Sequence, residues 1–398
     1  MNLLSVLSSV SAPKSLWVTL INWIQSSVGN FGWTIILVTV LIKLVTSPLD
    51  FWVKFNTKKQ TLIQQKCAPQ VAKLQKKFGN DRQTLQRQSQ ALYKREGLDM
   101  RSGCIVMLIN TILTFTIFIT FYNDLRKVSA YEAIHQYEQI EATYTENYKE
   151  AFLDKSDPTY SFEKWADVEA KYAKLKEMPD GDEKNTLEDN LKSYEKYATK
   201  VGSEKAVEFW KSHKKDSSWL WVQNIWVSDS SSKPFPFYDS LKSIAKDTGY
   251  TDDVEKINKD NYNKIATLIS DNAPREDNGF YILPILAGAI TFLSQYISEL
   301  HTRLKNKKAN KLAKEANTST ASTMKVMKIV MPIVMVIFTL TASASFGLYI
   351  LASNIATMLL GELTTVIIDA LTKKKRLEVE AELEKEANRL IKKGHFKE

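Results

Sequence analysis

The sequence predicts an all-α integral membrane protein with five transmembrane helices around a hydrophilic groove that opens to the cytoplasm. Five apolar stretches are long enough to cross a hydrocarbon core of about 30 Å, which takes roughly 20 helical residues. Each stretch is expected to be a helix because hydrocarbon cannot satisfy open backbone groups. Polar residues recur at helical spacing inside several stretches, and the segments between them alternate between basic and acidic. These three observations give the fold class and its organisation.

The segment before the first span, residues 1–30, is expected to form an amphipathic helix in the membrane interface. Leu16, Leu20, Ile21 and Ile24 recur at helical spacing, with tryptophans among them. The start lacks the basic residues and the cleavage site of a signal peptide, so no processing is expected. An uncleaved signal anchor is the alternative.

The five apolar stretches define the predicted spans. They are residues 31–53, 104–126, 279–301, 326–342 and 346–371. Only Ser343, Ala344 and Ser345 separate the last two, which predicts a tight hairpin between them.

Charge predicts the orientation of the chain in the membrane. Residues 54–101 contain twelve Lys or Arg and three acids, and residues 302–328 contain eight basic residues and one acid. The tail, residues 372–398, also opens on a basic run, whereas residues 127–278 contain thirty acids and twenty-two bases. Basic loops stay in the cytoplasm, so the N-terminus is expected outside, and the C-terminus and the loop 302–325 inside.

The basic surplus has two interpretations. Attraction to anionic lipid explains many basic loops next to membranes without any protein partner. A ribosome would bind the same charges through its RNA phosphates, but no base-reading motif is present and no DNA partner is expected.

Residues 54–103 are predicted to form a cytoplasmic helical hairpin. Two charged amphipathic patterns flank Gly79, Asn80 and Asp81, which suit a helix end, a turn and the cap of the next helix. A solvated spacer is the alternative. The cations expected to contact partners are Lys58, Lys59, Lys73, Lys76, Lys77, Arg82 and Arg87.

The outer segment, residues 127–278, is predicted to begin with a helical insertion at 127–215. This insertion is rich in Glu, Lys and Tyr, and Asp157-Pro158 and Met178-Pro179-Asp180-Gly181 divide it into helices that pack as a small bundle. A tryptophan-rich segment follows at 217–229, is too short to span, and is expected at the outer membrane surface. Packing of its tryptophans inside the outer domain is the alternative.

Lys43 lies near the middle of the first span, where a cation costs about 2.5–3.5 kcal/mol on insertion scales. Thr39, Lys43, Ser47 and Asp50 follow at three- or four-residue spacing and form one polar stripe on the first span. Snorkelling of the amine toward the cytoplasm is the alternative for Lys43, and helix packing is the alternative for other polar residues. Together with the stripe, four polar residues of the other apolar stretches predict the hydrated groove. They are Asn110, Thr114, Gln295 and Ser353.

Two other classes of function compete with a groove for polypeptides. A secondary transporter would use Lys43 as a substrate or proton site, but no inverted repeat or broken span is evident. An enzyme is not expected, because the four histidines are scattered and no catalytic, metal-binding or cofactor motif appears. Nor is a structural disulfide expected, since both cysteines fall on the predicted cytoplasmic side.

The motifs, in order and spacing, resemble the YidC family of membrane protein insertases. They are GWTIILVTVLIKLVTSPL in the first span, KCAPQVAKLQKKFGNDRQTLQRQSQALYKREG in the hairpin, RSGCIVMLIN entering the second span, WLWVQNIWVSD outside, FYILPILAGAITFLSQYIS in the third span, and MKIVMPIVMVIFTL and GLYILASNIATML in the last two. The resemblance is to the bacterial five-span form in the plasma membrane, here with an expanded extracellular loop.

This resemblance implies a role and a set of partners. Members of the family insert small membrane proteins and cooperate with the Sec translocon and the ribosome, so nascent membrane proteins and lipids are the expected partners. Lys43 would be the groove cation, where the family usually has arginine, and Thr39 and Tyr349 would lie close to substrate. Lysine keeps the charge but loses the guanidinium fork, which puts bidentate contacts in doubt.

Overall fold

The structure is a computed structural model that describes residues 10–79, 81–98, 100–154, 162–273, 277–305 and 318–392. Within these residues the secondary structure is helical, and a single antiparallel bridge joins Trp219 to Val222. The predicted all-α class is therefore confirmed for the described part of the chain. In chain order the helices are α1 (Leu16–Val28), α2 (Phe31–Phe78), α3 (Arg82–Arg95), α4 (Met100–Asp154), α5 (Trp165–Glu177), α6 (Asp182–Ser217), α7 (Tyr238–Ala245), α8 (Thr251–Lys256), α9 (Lys259–Asp271), α10 (Ile282–Lys305), α11 (Thr318–Thr341) and α12 (Ala344–Lys392).

Three helices of the described residues are long and apolar enough to cross a membrane. They cover Phe31–Phe78, Ile105–Asp154 and Ala344–Lys385, and shorter apolar helices cover Ile282–Ile297 and Val330–Thr341. The first, second and fifth predicted spans therefore lie in long apolar helices, and the third and fourth overlap the shorter ones. Five crossings of the bilayer stay a prediction.

The chain forms two compact units, which we call the outer unit (residues 1–35, 122–282 and 339–348) and the span unit (residues 36–121, 283–338 and 349–398). In the span unit, the apolar stretch of α4 is largely uncovered by protein. Contiguous exposed apolar surface of this kind is rare on soluble monomers and is suited to lipid. Its side chains are between 41% and 64% exposed at Ile105, Met107, Leu108, Ile109, Ile112, Leu113 and Phe115.

The first span and the first hairpin helix form one continuous helix, α2, which ends at Phe78. Asp81 caps α3 as predicted, because its side chain accepts a hydrogen bond from the Thr84 amide at 3.0 Å. Asn80 lies outside the described residues. Ile63, Cys67 and Leu98 form a small buried cluster between the two arms, so the hairpin has a modest apolar core.

The outer unit contains a large core built mainly from aromatic side chains. The rings of Tyr137 on α4 and Tyr262 on α9 lie 4.5 Å apart, and Phe152 packs 5.6 Å from Tyr194 on α6. Offset and edge-on ring pairs of this kind stabilise beyond the area they bury. This core explains why a segment so rich in charge still folds.

The helical insertion extends further than the sequence predicts. As predicted, α5 ends at Glu177 and α6 begins at Asp182, whereas Asp157-Pro158 lies outside the described residues. However, Leu241 on α7 and Ile265 on α9 belong to the same buried core as α4 and α6. The packed core thus extends beyond the insertion predicted at 127–215, because the short helices that follow contribute buried side chains to it.

The tryptophan-rich segment at 217–229 packs largely inside the outer unit. Trp226 is fully buried with its ring 4.9 Å from Phe31, and Trp219 is buried 5.7 Å from Trp33. Only Leu220 is strongly exposed, at 68%. The alternative interpretation therefore describes these two tryptophans, because ring packing removes them from solvent and lipid alike. A position of the segment at the outer membrane surface stays a prediction.

Helix α1 is amphipathic and is attached to the outer unit. The Ser15 hydroxyl caps it, and Ile21 and Ile24 are buried, whereas Leu16 and Trp23 are 73% and 68% exposed. The exposed apolar pair suits a helix at an interface. That location stays a prediction.

Candidate substrate groove

The polar stripe of Thr39, Lys43, Ser47 and Asp50 lies on α2, and we call it the α2 stripe. It is the centre of the predicted groove. Its members become more accessible along the helix: Thr39 is fully buried, and Lys43, Ser47 and Asp50 are half-buried. The Ser47 hydroxyl donates to the Leu44 carbonyl at 2.9 Å, as hydroxyls commonly do inside apolar helices. The helical spacing thus places these four residues along one face, as the sequence predicts.

Lys43 stands out because its ammonium forms no hydrogen bond or ion pair with the residues that the structure describes, although it is half-buried in an apolar helix. The nearest compensation is the charge of Asp50, which attracts the ammonium without direct contact. A buried cation normally needs a counter-charge or hydrogen-bond acceptors to offset its desolvation. The Lys43 amine is therefore placed to interact with water or with a ligand.

Asn110 connects α4 to the α2 stripe. Its side-chain amide donates a hydrogen bond to the Asp50 carboxylate at 3.3 Å. The carboxylate of Asp50 thus accepts a hydrogen bond from α4 at the end of the stripe, and its charge also attracts the Lys43 ammonium. The sequence places Asp50 on the stripe but does not identify it as the partner of Asn110.

Tyr349 and Ser353 lie on consecutive turns of α12 and are both buried. The Tyr349 ring packs 4.8 Å from Phe121 and 6.2 Å from Phe118, which are on α4. Tyr349 is therefore anchored by aromatic packing within the span unit. Its closeness to a substrate stays a prediction.

The remaining two predicted groove residues are less closely integrated. Thr114 is exposed and Gln295 is half-buried, and the side chain of neither bonds to another residue that the structure describes. Instead, the polar link between α10 and α12 is made by Asn354, whose amide donates to the Thr291 hydroxyl at 2.8 Å. Sequence reasoning missed Asn354, although an amide in the middle of an apolar helix is itself a signal.

The cations predicted for the cytoplasmic hairpin are in different environments. Lys58 is half-buried and pairs with Asp369 on α12 at 3.2 Å, and its contact with a partner stays a prediction. The Lys59 ammonium lies 4.2 Å from the centre of the Phe55 ring. The predicted cations exposed to solvent are Lys59, Lys73, Lys76, Lys77, Arg82 and Arg87.

The chemistry available at this site is electrostatic. In the described residues there is no group of His, Cys, Asp and Glu that could hold a metal ion. One amine, several hydroxyls and two amides instead offer donors and acceptors within apolar helices. Such groups can form hydrogen bonds and charge interactions with polar or acidic segments, and these interactions are stronger where water is scarce.

Comparison with known proteins assigns the chain to a family. The family model described as "60Kd inner membrane protein" matches residues 23–197 and 210–372. Among curated proteins, "Membrane protein insertase YidC" of Aromatoleum aromaticum is 32% identical over 116 residues, 29% of this chain and 19% of the relative. The protein of the same name from Francisella tularensis subsp. novicida is 41% identical over 106 residues, 27% of this chain and 17% of the relative.

In these alignments the chain spans about a fifth of the length of the curated relatives. The family model, in contrast, matches most of both units and all or part of each described helix that is long and apolar enough to cross a membrane. The chain is thus a multi-pass bacterial membrane protein. It belongs to the 60Kd inner membrane protein family, which is the YidC/Oxa1 family.

Proposed function

We propose that this chain is a membrane protein insertase that moves newly made membrane proteins into the bilayer and helps them fold. Family membership and the curated insertases support this function. The observation that carries the mechanism is Lys43, a half-buried cation in an apolar helix. Its ammonium forms no hydrogen bond or ion pair with a described residue. It can therefore bind an acidic group of a substrate.

The α2 stripe suggests how insertion proceeds. An acidic or polar tail of an incoming chain is held transiently by Lys43 and by the hydroxyls of Thr39 and Ser47. The path of the polar segment across the hydrocarbon becomes shorter and more hydrated, while the apolar segment of the substrate enters lipid. Burial of that segment supplies the driving force, so the step itself consumes no nucleotide.

The proposal includes partners and an orientation. The exposed cations of the cytoplasmic hairpin carry a charge pattern suited to ribosomal RNA phosphates and to anionic lipid. The charge bias of the loops supports an outer N-terminus and a cytoplasmic C-terminus. Insertion proceeds both without the Sec translocon and together with it, since small substrates need only the groove and larger ones need a channel for their outer domains.

Protease protection in liposomes that contain only this chain tests the proposal. A small membrane protein with an acidic outer tail is synthesised in their presence, and the protected fraction is measured for wild type and for Lys43→Ala and Lys43→Arg. We expect wild type and Lys43→Arg to insert it and Lys43→Ala to lose about tenfold, because only the alanine variant lacks the charge.

Two controls make the result specific. Lys196→Ala removes an exposed lysine of α6, far along the chain from the stripe, and is expected to insert normally. A substrate whose acidic tail residues are replaced by asparagine should lose its dependence on Lys43. Absence of insertion by wild type in every lipid mixture would contradict the proposal, and uptake of a small solute that depends on Lys43 would favour a secondary transporter.

A further inference from the structure

A cavity of about 420 Å³ lies in the outer unit, beside the turn between α11 and α12. Its walls come from residues 226–237, from α7 and from residues 341–343. Pockets of this volume accommodate small organic ligands. The proposed insertion mechanism makes no use of this cavity.

The lining has an unusual chemistry. Among the described residues, seven hydroxyl side chains line the cavity, among them Ser228, Ser240 and Ser243, and Lys233 is the only charged one. Lys233 is half-buried and forms no ion pair with a described residue. A cation that shares its cavity with hydroxyl groups and with no described carboxylate is suited to an anion.

The wall that carries Lys233 is fixed by hydrogen bonds. The Asn278 amide donates to the Ser232 carbonyl at 2.7 Å, and its side chain donates to the Ser228 carbonyl at 2.9 Å. The Gly279 amide donates to the Ser230 carbonyl at 3.1 Å. This part of the cavity is thus built before any ligand arrives, which lowers the entropic cost of binding.

The rest of the lining is apolar. Trp226, Phe237 and Ile244 face the same cavity as Lys233, and Thr341, Ala342 and Ser343 join two helices that are predicted to span the membrane. Polar and apolar walls in one cavity suit an amphiphile whose charged group binds Lys233. We propose that this cavity binds the phosphate group of an anionic ligand, with Lys233 as the cation and the serine hydroxyls as donors.

Two sources can supply such a phosphate: the headgroup of an anionic phospholipid in the outer leaflet, or free phosphate. The apolar wall favours the headgroup. Calorimetric titration of the purified full chain in detergent separates the two, with dihexanoyl-phosphatidylglycerol and inorganic phosphate as probes and dihexanoylglycerol as the lipid without phosphate.

We expect phosphatidylglycerol to bind wild type, Lys233→Arg to retain binding, and Lys233→Gln to weaken it about tenfold, the size of one charge-assisted hydrogen bond. Ser243→Val fills the wall without changing the charge and is also expected to weaken binding. Lys196→Gln, on α6 and away from the cavity, is the matched control and should bind as wild type does.

Each outcome decides the proposal. Binding of phosphatidylglycerol alone identifies a lipid headgroup, and binding of inorganic phosphate as well identifies the soluble anion as a ligand. Equal binding of dihexanoylglycerol, an equal loss in Lys196→Gln, or no binding of either phosphate probe would overturn it. Insertion activity plays no part in this readout, so the result is independent of the Lys43 experiment.

Discussion

Asn278 is a fully buried amide that organises the polar centre of the outer unit. Its side chain donates to the Asn224 carbonyl at 2.8 Å and to the Ser228 carbonyl at 2.9 Å, and its oxygen accepts from the Asn224 amide at 2.8 Å. One side chain thus satisfies three backbone groups from a segment about fifty residues earlier in the chain. Removing it leaves the Asn224 N–H buried without an acceptor, which is the costly way to lose a hydrogen bond, whereas the Asn224 and Ser228 carbonyls keep only longer bonds of 3.3 Å from the Val227 amide and the Ser232 hydroxyl.

Replacement of Asn278 by alanine is therefore expected to destabilise the protein by about 2–3 kcal/mol. The measurement is thermal unfolding of the purified chain, followed by tryptophan fluorescence. Asn272→Ala serves as the matched control, because that exposed amide bonds only the Leu268 carbonyl one turn away. Equal stability of the two variants would show that the network is dispensable.

Glu132 on α4 gives the outer unit a dependence on pH. Burial raises the pKa of its carboxyl from 4.5 to about 7. Between these values the folded chain holds a proton that the unfolded chain releases, so stability from this group is complete below pH 4.5 and falls as the pH rises to 7. Above pH 7 the cost of the buried charge is constant.

Glu132→Gln removes this charge and should stabilise the protein at pH 8 by about 2 kcal/mol, with little effect at pH 4.5. Melting temperatures of wild type and variant at both pH values test this. The same substitution at Glu183, which is exposed at the start of α6, should leave the pH profile unchanged. Parallel profiles for wild type and Glu132→Gln would refute the assignment.

For single residues, the sequence identifies those that are energetically costly in any fold. It misses those whose role depends on a residue far away in the chain. Lys43 is conspicuous because a cation inside an apolar run is expensive wherever the chain folds. Asn278 and Asn354 are ordinary amides until folding brings them to Asn224 and Thr291, which lie 54 and 63 positions away in the chain. No periodicity encodes such a pairing.

Among the helices, the contact between α10 and α11 depends on a glycine. A Cβ at Gly288 on α10 would overlap Val336 Cγ2 on α11. Small residues allow helix backbones to approach in lipid, where van der Waals packing has a large share in association. The short apolar helices α10 and α11 are joined at this point within the span unit.

Gly288→Val is expected to separate α10 from α11 and to destabilise the protein by about 1–3 kcal/mol, the usual cost of overpacking. Val336→Ala removes the opposing methyl groups, so the double variant should recover much of the loss. Thermal unfolding of the single and double variants gives the coupling between the two sites. Additive losses would show that the two helices do not meet there.

The helices show the same contrast between what a local sequence pattern predicts and what depends on packing with distant residues. The apolar runs of α2, α4 and α12 predict their helices because the pattern is long and continuous. The small helices α7, α8 and α9 were missed as part of the bundle, since 8, 6 and 13 residues give little periodic signal. Only their packing on one another, and of α9 on α6 and on Tyr137 of α4, makes them part of one core.

For the whole molecule, the shared core of the outer unit decides how the chain can be truncated. Deletion of residues 127–215 removes α5, most of α6 and the outer part of α4. It leaves Tyr262, Ile265 and Ile269 on α9, all buried in the intact unit, without their partners. We expect this variant to unfold in its outer unit and to accumulate poorly in membranes, as measured by membrane fractionation and size exclusion.

Lys43→Ala provides the contrast, because it changes one side chain of the span unit and should leave the membrane level of the protein unchanged. A normal level of the deletion variant would mean that α7–α9 fold without the helices they cover. The comparison separates loss of the protein from loss of its activity.

Helix α12 is continuous over 49 residues, from Ala344 to Lys392, and within the described residues it contains no proline. At about 1.5 Å per residue it is about 74 Å long, more than twice the roughly 30 Å of hydrocarbon that a span must cross. About 44 Å of continuous helix is therefore left over beyond one crossing of the hydrocarbon. Because no proline interrupts the helix between the predicted fifth span and the charged tail, a partner bound to the tail would be held by a semi-rigid helical spacer and not by a flexible tether.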